Sequence, residues 1–177
     1  MKTTTDKRKC NIVLIGFMAT GKTAVGQILA RKLKKKYVST DTLIEKKERM
    51  KISTIFKKKG EDFFRKLETN LLKSLLHKKN LVISCGGGIV LKPKNRNLLK
   101  KIGFVVWLKA SPEIINSRLG NLKKRPLLNI KDEKERIKKI KSMLALRNPI
   151  YKKVANFSVD TSSLSKTDVV NKIISVL

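Results

Sequence analysis

The sequence predicts an α/β domain built on a five-stranded parallel sheet with helices on both faces, and three observations carry that reading. Short continuous apolar runs recur, as strands buried on both faces require. Segments with helical apolar spacing separate them, and the two kinds alternate along the whole chain. With 177 residues, no internal repeat and no linker-like stretch, the chain reads as a single domain over 1–177.

The elements follow in order. Residues 11–15 (NIVLI) form a first buried strand, and a glycine-bearing loop leads into a helix over 23–33 with Val25, Ile28, Leu29 and Leu33 on one face. Residues 37–38 make a short second strand. A helix starts near Asp41, whose carboxylate suits a helix N-terminus. Residues 51–79 are mostly helical and broken at Gly60. A third strand over 81–85 (LVISC) runs straight into Gly86-Gly87-Gly88, followed by a helix over 93–101. Residues 104–108 (FVVWL) form the fourth strand, and Ser111-Pro112-Glu113 opens a helix with serine at the cap and proline just inside. Residues 120–129 lack periodicity and read as loop. A long charged helix spans 132–153 with an expected break near Pro149, then a fifth strand over 157–160 and a closing helix over 165–177.

Composition narrows the function classes. No apolar run is long enough to span a bilayer, and the N-terminus is short and polar, so a membrane or secreted location is not expected and a cytosolic one is. Cys10 and Cys85 lie far apart without metal-ligand spacing, and Cys85 reads as a small core thiol. The net charge of +30 raises the question of a polyanion partner. The lysines recur in pairs and triples along the whole chain, and aromatic residues are only 5%, so solvated helix faces explain the charge better than a nucleic-acid site. Nine of the 43 cations are arginine, so an arginine marks a place where a planar, two-pronged donor has a use.

The chemistry begins at Gly16-Phe17-Met18-Ala19-Thr20-Gly21-Lys22-Thr23, a G-x4-G-K-[ST] motif between a buried strand and a helix, with Ala24 following. Backbone N–H groups of such a loop wrap a triphosphate, and the helix N-terminus adds its positive dipole end. Lys22 would reach the β- and γ-phosphates, and the Thr23 hydroxyl would ligate Mg²⁺. Asp41 follows the second strand at the carboxyl edge of the sheet, suited either to orient and deprotonate an acceptor hydroxyl or simply to cap a helix. Arg65 and Glu68 lie three apart on one helix face, as an ordinary surface ion pair also would. Three consecutive glycines, Gly86 to Gly88, suit a surface that a ligand approaches closely. Arg125, in the aperiodic stretch, suits a finger over a transferring phosphoryl group, or is one more basic loop residue. Arg147, in Arg147-Asn148-Pro149-x-Tyr151, suits a two-pronged grip on a carboxylate.

Taken together, in matching order and spacing from about residue 11 to the C-terminus, these features resemble the shikimate kinase family. The resemblance implies a three-layer P-loop NTPase fold, a helical substrate-binding segment over about 38–70, and a mobile lid over about 118–130. It implies transfer of the ATP γ-phosphate to the 3-hydroxyl of shikimate, with Mg²⁺, by a monomer. Residue by residue, it implies that Gly16, Ala19, Thr20, Gly21, Lys22, Thr23 and Ala24 hold the nucleotide. Asp41 then binds shikimate and serves as base. Arg65 and Arg147 grip its carboxylate, Glu68 supports them, and Gly86, Gly87 and Gly88 line the pocket. Arg118 sits at the lid base near adenine, and Arg125 contacts the phosphates. Four of the nine arginines fall on positions where the family uses a guanidinium.

Two departures stand out. Ser39 replaces the first acid of the family's Asp-x-Asp, which implies a higher Mg²⁺ requirement. Ala19 replaces a common glycine, at little cost if the backbone there is ordinary. The rival readings are a kinase for gluconate or a nucleoside monophosphate, and a non-catalytic polyanion-binding relative.

Overall fold

The computed structural model describes residues 10–120 and 126–177. Five strands pair in parallel throughout: β1 (Asn11–Ile15), β2 (Lys36–Ser39), β3 (Leu81–Ser84), β4 (Gly103–Lys109) and β5 (Phe157–Asp160). Their order across the sheet is β2-β3-β1-β4-β5. Strand β1 is therefore central, as its wholly buried apolar sequence requires.

Alternate residues of each strand serve opposite faces. Ile12 and Leu14 of β1, with Val82, Val106 and Leu108, pack under α1 (Lys22–Lys32) and α7 (Lys166–Ile174). Val13 and Ile15, with Ile83, Val105 and Trp107, pack under α3 (Ile52–Leu75), α4 (Pro93–Ile102) and α6 (Glu133–Val154). Each fully buried Leu or Ile in these two layers contributes about 1.5–3 kcal/mol over an exposed one. The chain leaves β1 onto one face and β3 onto the other. A crevice therefore opens at the carboxyl ends of these neighbouring strands, the place where open parallel sheets bind ligands.

Two shorter helices complete the surroundings of that crevice. Helix α2 (Thr40–Glu48) packs on α3 through Ile44, Ile55 and Phe64. Helix α5 (Pro112–Arg118) packs on α6 through Ile115, Met143 and Leu144. The break expected at Gly60 is present as a kink in α3, with Gly60 at φ 78° and ψ 171°. It redirects the second half of the helix, so that Glu61, Arg65 and Glu68 follow on a fresh run of turns.

The break expected near Pro149 is absent: α6 continues through it to Val154. A helical proline withdraws one N–H and crowds the carbonyl four residues earlier, here that of Ala145. Both Ala145 and Pro149 face solvent, where water can take that carbonyl, while Tyr151 and Val154 anchor the last turn in the core.

Candidate active site

The loop after β1 holds its shape through its own side chains. The Thr20 hydroxyl donates to the Phe17 carbonyl at 2.8 Å. The buried Lys22 ammonium donates to the carbonyls of Gly16 at 2.8 Å and Phe17 at 2.6 Å. Gly21 stands at the α1 N-cap in the left-handed region, φ 90°, which glycine adopts without strain. Ala19 also lies there, at φ 62°. The condition under which alanine would cost little there, an ordinary backbone, is not met, and alanine at this position carries a left-handed cost of about 1–2 kcal/mol.

Across from this loop, the ends of β2 and β3 form the other wall of a cleft of ≈ 340 Å³. Thr23, Ser39, Asp41, Cys85, Gly86 and Arg118 all line it. The Ser39 hydroxyl accepts the Thr42 N–H at 3.3 Å and caps α2. Asp41, inside the first turn, is therefore not the cap, and that plainer reading of it falls. The Thr40 hydroxyl accepts the Gly86 N–H at 3.0 Å and ties α2 to the glycine turn.

A side chain on any of the three glycines would crowd a neighbour. A Cβ on Gly86 would lie 2.5 Å from Asp41 Oδ1 and 3.2 Å from Glu68 Oε1. One on Gly87 would meet the phosphate-loop backbone, 3.3 Å from Met18 N. One on Gly88 would strike the Arg65 guanidinium, 2.5 Å from Nη1. The absence of side chains thus lets Asp41, the phosphate loop and Arg65 converge on a single turn.

Arg65 is buried, not on the surface, and so is Glu68. Arg65 donates from Nη1 to Glu68 Oε2 at 2.7 Å, and from Nε and Nη2 to Glu61 Oε1 at 3.0 and 2.7 Å. The surface-pair reading is corrected accordingly: the pair sits in the wall of the site. Burial pushes the Glu68 carboxyl up to about 7, against the pull of Arg65, with Asp41 and Glu61 adding to the rise. Burial also disfavours the Arg65 charge, but Glu68 and Glu61 outweigh it and raise its pKa. Glu68 Oε1 has no hydrogen-bond partner among the described residues. Arg147 is buried on α6, its guanidinium 5.4 Å above the Phe17 ring.

Arg118 is exposed at the rim and donates to the Thr161 hydroxyl at 3.2 Å and carbonyl at 2.8 Å, which ties the cleft rim to the end of β5. Arg125 lies outside the described residues. Burial raises the Cys85 thiol far above its ordinary range, with Asp41 and Glu68 adding, so it stays a protonated core group.

Sequence reading passed over Glu61, Thr40, Phe17 and the hydroxyl of Tyr151. Glu61 stands four before Arg65 and Tyr151 four after Arg147, so helical spacing was an available signal for both. Nothing local marks Phe17 or Thr40.

A parallel five-stranded sheet with a glycine-lysine phosphate loop at its switch point, a carboxylate in the same cleft, and two buried guanidiniums packed against the glycine turn and the loop, defines a P-loop phosphotransferase. The chain belongs to the shikimate kinase family: the family model described as shikimate kinase matches residues 18–177. A shikimate kinase of Thermodesulfovibrio yellowstonii is 46% identical over 164 residues, covering 93% of this chain and 92% of that protein. One from Pelotomaculum thermopropionicum is 47% identical over 167 residues, covering 94% and 95%. The structure of the Acinetobacter baumannii shikimate kinase in complex with shikimate superposes with a TM-score of 0.90 at 36% identity, covering 96% of this chain and 93% of that one.

Proposed function

We propose that this chain transfers the γ-phosphate of ATP to the 3-hydroxyl of shikimate. The observation that carries the reading is the convergence of Asp41, Arg65 and the phosphate loop on the Gly86–Gly88 turn. An acceptor in that corner has a carboxylate-binding guanidinium at one end, a base for its hydroxyl at the other, and the phosphate loop within reach.

In this reading the acceptor oxygen attacks the γ-phosphorus, the bond to the bridging oxygen breaks, ADP leaves, and Asp41 takes the hydroxyl proton. Arg65 and Arg147 hold the shikimate carboxylate and fix which hydroxyl faces the phosphorus. Glu61 and Glu68 hold Arg65 in place for that grip. Lys22 and the loop N–H groups hold the phosphates, Arg118 borders the base, and Arg125 closes over the transferring group, all as proposals for roles within the lid and substrate segments.

The site also suits Mg²⁺. The Thr23 hydroxyl is exposed in the cleft, and among the described residues no three or more His, Cys, Asp or Glu side chains gather into a cage. That donor set fits a cation that arrives on phosphate oxygens and keeps much of its water. Thr23 would hold it, with Ser39 lining the same cleft, and when bound it would neutralise charge developing on the phosphates. The working unit is proposed to be a cytosolic monomer; among the described residues no helix is long and apolar enough to cross a membrane.

A coupled ADP-release assay with Mg²⁺-ATP tests the reading, comparing shikimate with gluconate, a nucleoside monophosphate and no acceptor. Turnover with shikimate alone is expected. Turnover with another acceptor, or with none, would replace it.

A further inference from the structure

The Arg147-Asn148-Pro149-x-Tyr151 motif contributes more than its arginine. Tyr151 is fully buried, its ring stacked on Trp107 with centroids 5.7 Å apart. Its hydroxyl leaves that apolar layer at one point, to donate to the Gly87 carbonyl at 2.5 Å. Burial raises the phenol to about 12, so it stays protonated and a donor at any working pH. Arg147 bears on it both by its charge and by a side-chain hydrogen bond, and the charges of Arg65 and Glu68 bear on it as well.

The described chain has no cis peptide, so the Gly87 carbonyl and the Gly88 N–H point in opposite directions from one rigid plane. Holding the carbonyl toward α6 therefore aims that N–H away from α6. The Gly88 N–H makes no hydrogen bond to another described residue, and Gly88 is the glycine that Arg65 packs against. Gly87 meanwhile abuts the phosphate loop at Met18 and Gly16. Without the phenol, the Gly87–Gly88 peptide loses the side-chain anchor on its carbonyl, and glycine dihedrals on both sides let it tilt.

We propose that Tyr151 is a positioning residue for the acceptor. Its hydroxyl locks the Gly87–Gly88 peptide so that the Gly88 N–H and the Arg65 and Arg147 guanidiniums present one fixed set of donors. The inference rests on the acceptor reading above, and its test separates the two.

Tyr151→Phe keeps the ring on Trp107 and removes one hydroxyl. Wild type and variant are compared in the ADP-release assay, by ATP-binding titration and by thermal melting. The expected result is a shikimate KM about tenfold higher, with ATP Kd within twofold and melting within a few degrees of wild type. Combining it with Arg147→Ala should give a shikimate-binding loss smaller than the product of the two single losses, because both act on one donor set. An unchanged shikimate KM overturns the proposal, and so does a loss that falls equally on ATP and shikimate in step with stability. If the wild-type enzyme itself shows no shikimate-dependent turnover, the acceptor reading falls and this inference with it.

Discussion

Gly88→Ala separates function from stability at a single atom. Gly88 sits at φ −94° and ψ 0°, a conformation open to alanine, so the backbone itself is not strained. The new methyl would lie 2.5 Å from Arg65 Nη1 and 2.6 Å from Cζ, where ordinary contact begins near 3.4 Å. The guanidinium must retreat by about 1 Å. It ends a flexible side chain, so the fold absorbs the move, and we expect a stability loss of about 1 kcal/mol or less, or roughly 2–4 °C in a chain of this size. The function does not absorb it. A displacement of about 1 Å in a positioning group costs on the order of 100-fold in rate, and the retreat also stretches the bonds to Glu61 and Glu68. The expected result is a drop in kcat/KM for shikimate of roughly 10- to 100-fold with ATP binding unchanged. It is read from shikimate titrations in the ADP-release assay, an ATP titration and a melt. A variant with wild-type kcat/KM would refute the placement of Arg65 against the acceptor. Collapse of the fold would refute the claim that this glycine serves ligand geometry.

Three further changes test other links. Glu68 binds its proton more tightly folded, at about 7, than at its ordinary 4.5, so its contribution to stability is full below 4.5 and lost as pH rises through 7. Relative to Glu68→Gln, the wild type should therefore lose up to about 3 kcal/mol across that window and stay level above it. Urea unfolding at stepped pH measures this, and a flat difference contradicts it. Ala19→Gly relieves a left-handed cost of about 1–2 kcal/mol and adds about 0.4–1 kcal/mol of unfolded-state freedom. A net gain of roughly 0.5 kcal/mol should appear as a higher urea midpoint; an unchanged or lower one would show that alanine is at ease there. Ser39→Asp keeps a good cap for α2 and adds a carboxylate to the cleft wall. It should lower the Mg²⁺ concentration for half-maximal turnover severalfold and tighten Mn²⁺ binding to the nucleotide complex seen by EPR. Identical metal titrations would remove Ser39 from the metal's surroundings.

The parts of the fold legible in the sequence are those whose physics is local. A strand buried on both faces must be apolar at every position, so 11–15, 81–84 and 104–108 announce themselves. The phosphate loop is legible because backbone wrapping of an anion needs glycines and a lysine at fixed intervals. The illegible parts are long-range. Tyr151 meets Gly87 across 64 positions and Thr40 meets Gly86 across 46, and no local pattern encodes either meeting. Pro149 shows the converse failure. The local rule predicts a break, but the core contacts of Tyr151 and Val154 outweigh one withdrawn hydrogen bond on a solvent-facing turn. Ala19 shows a third kind, since its left-handed backbone is imposed by the loop around it and leaves no mark on the residue's identity.

The charge distribution joins composition to chemistry. The chain carries 43 cations, yet among the described residues only Lys22, Arg65 and Arg147 are buried. Burying a cation costs several kcal/mol unless something compensates, so a fold keeps such residues only where they are matched. The matches here include loop carbonyls for Lys22, an aromatic face and the Tyr151 phenol for Arg147, and two carboxylates for Arg65, one of them with its pKa raised to about 7. The wall they form is rich in buried cationic donors. Phosphates on the Lys22 side and a carboxylate on the Arg65 and Arg147 side suit those donors, and an acceptor without an anionic group would give the Arg147 guanidinium no charged partner in exchange for its hydration. Those donors suit a hydroxy-acid better than a neutral sugar, and they are the three cations that the lysine-rich surface does not account for.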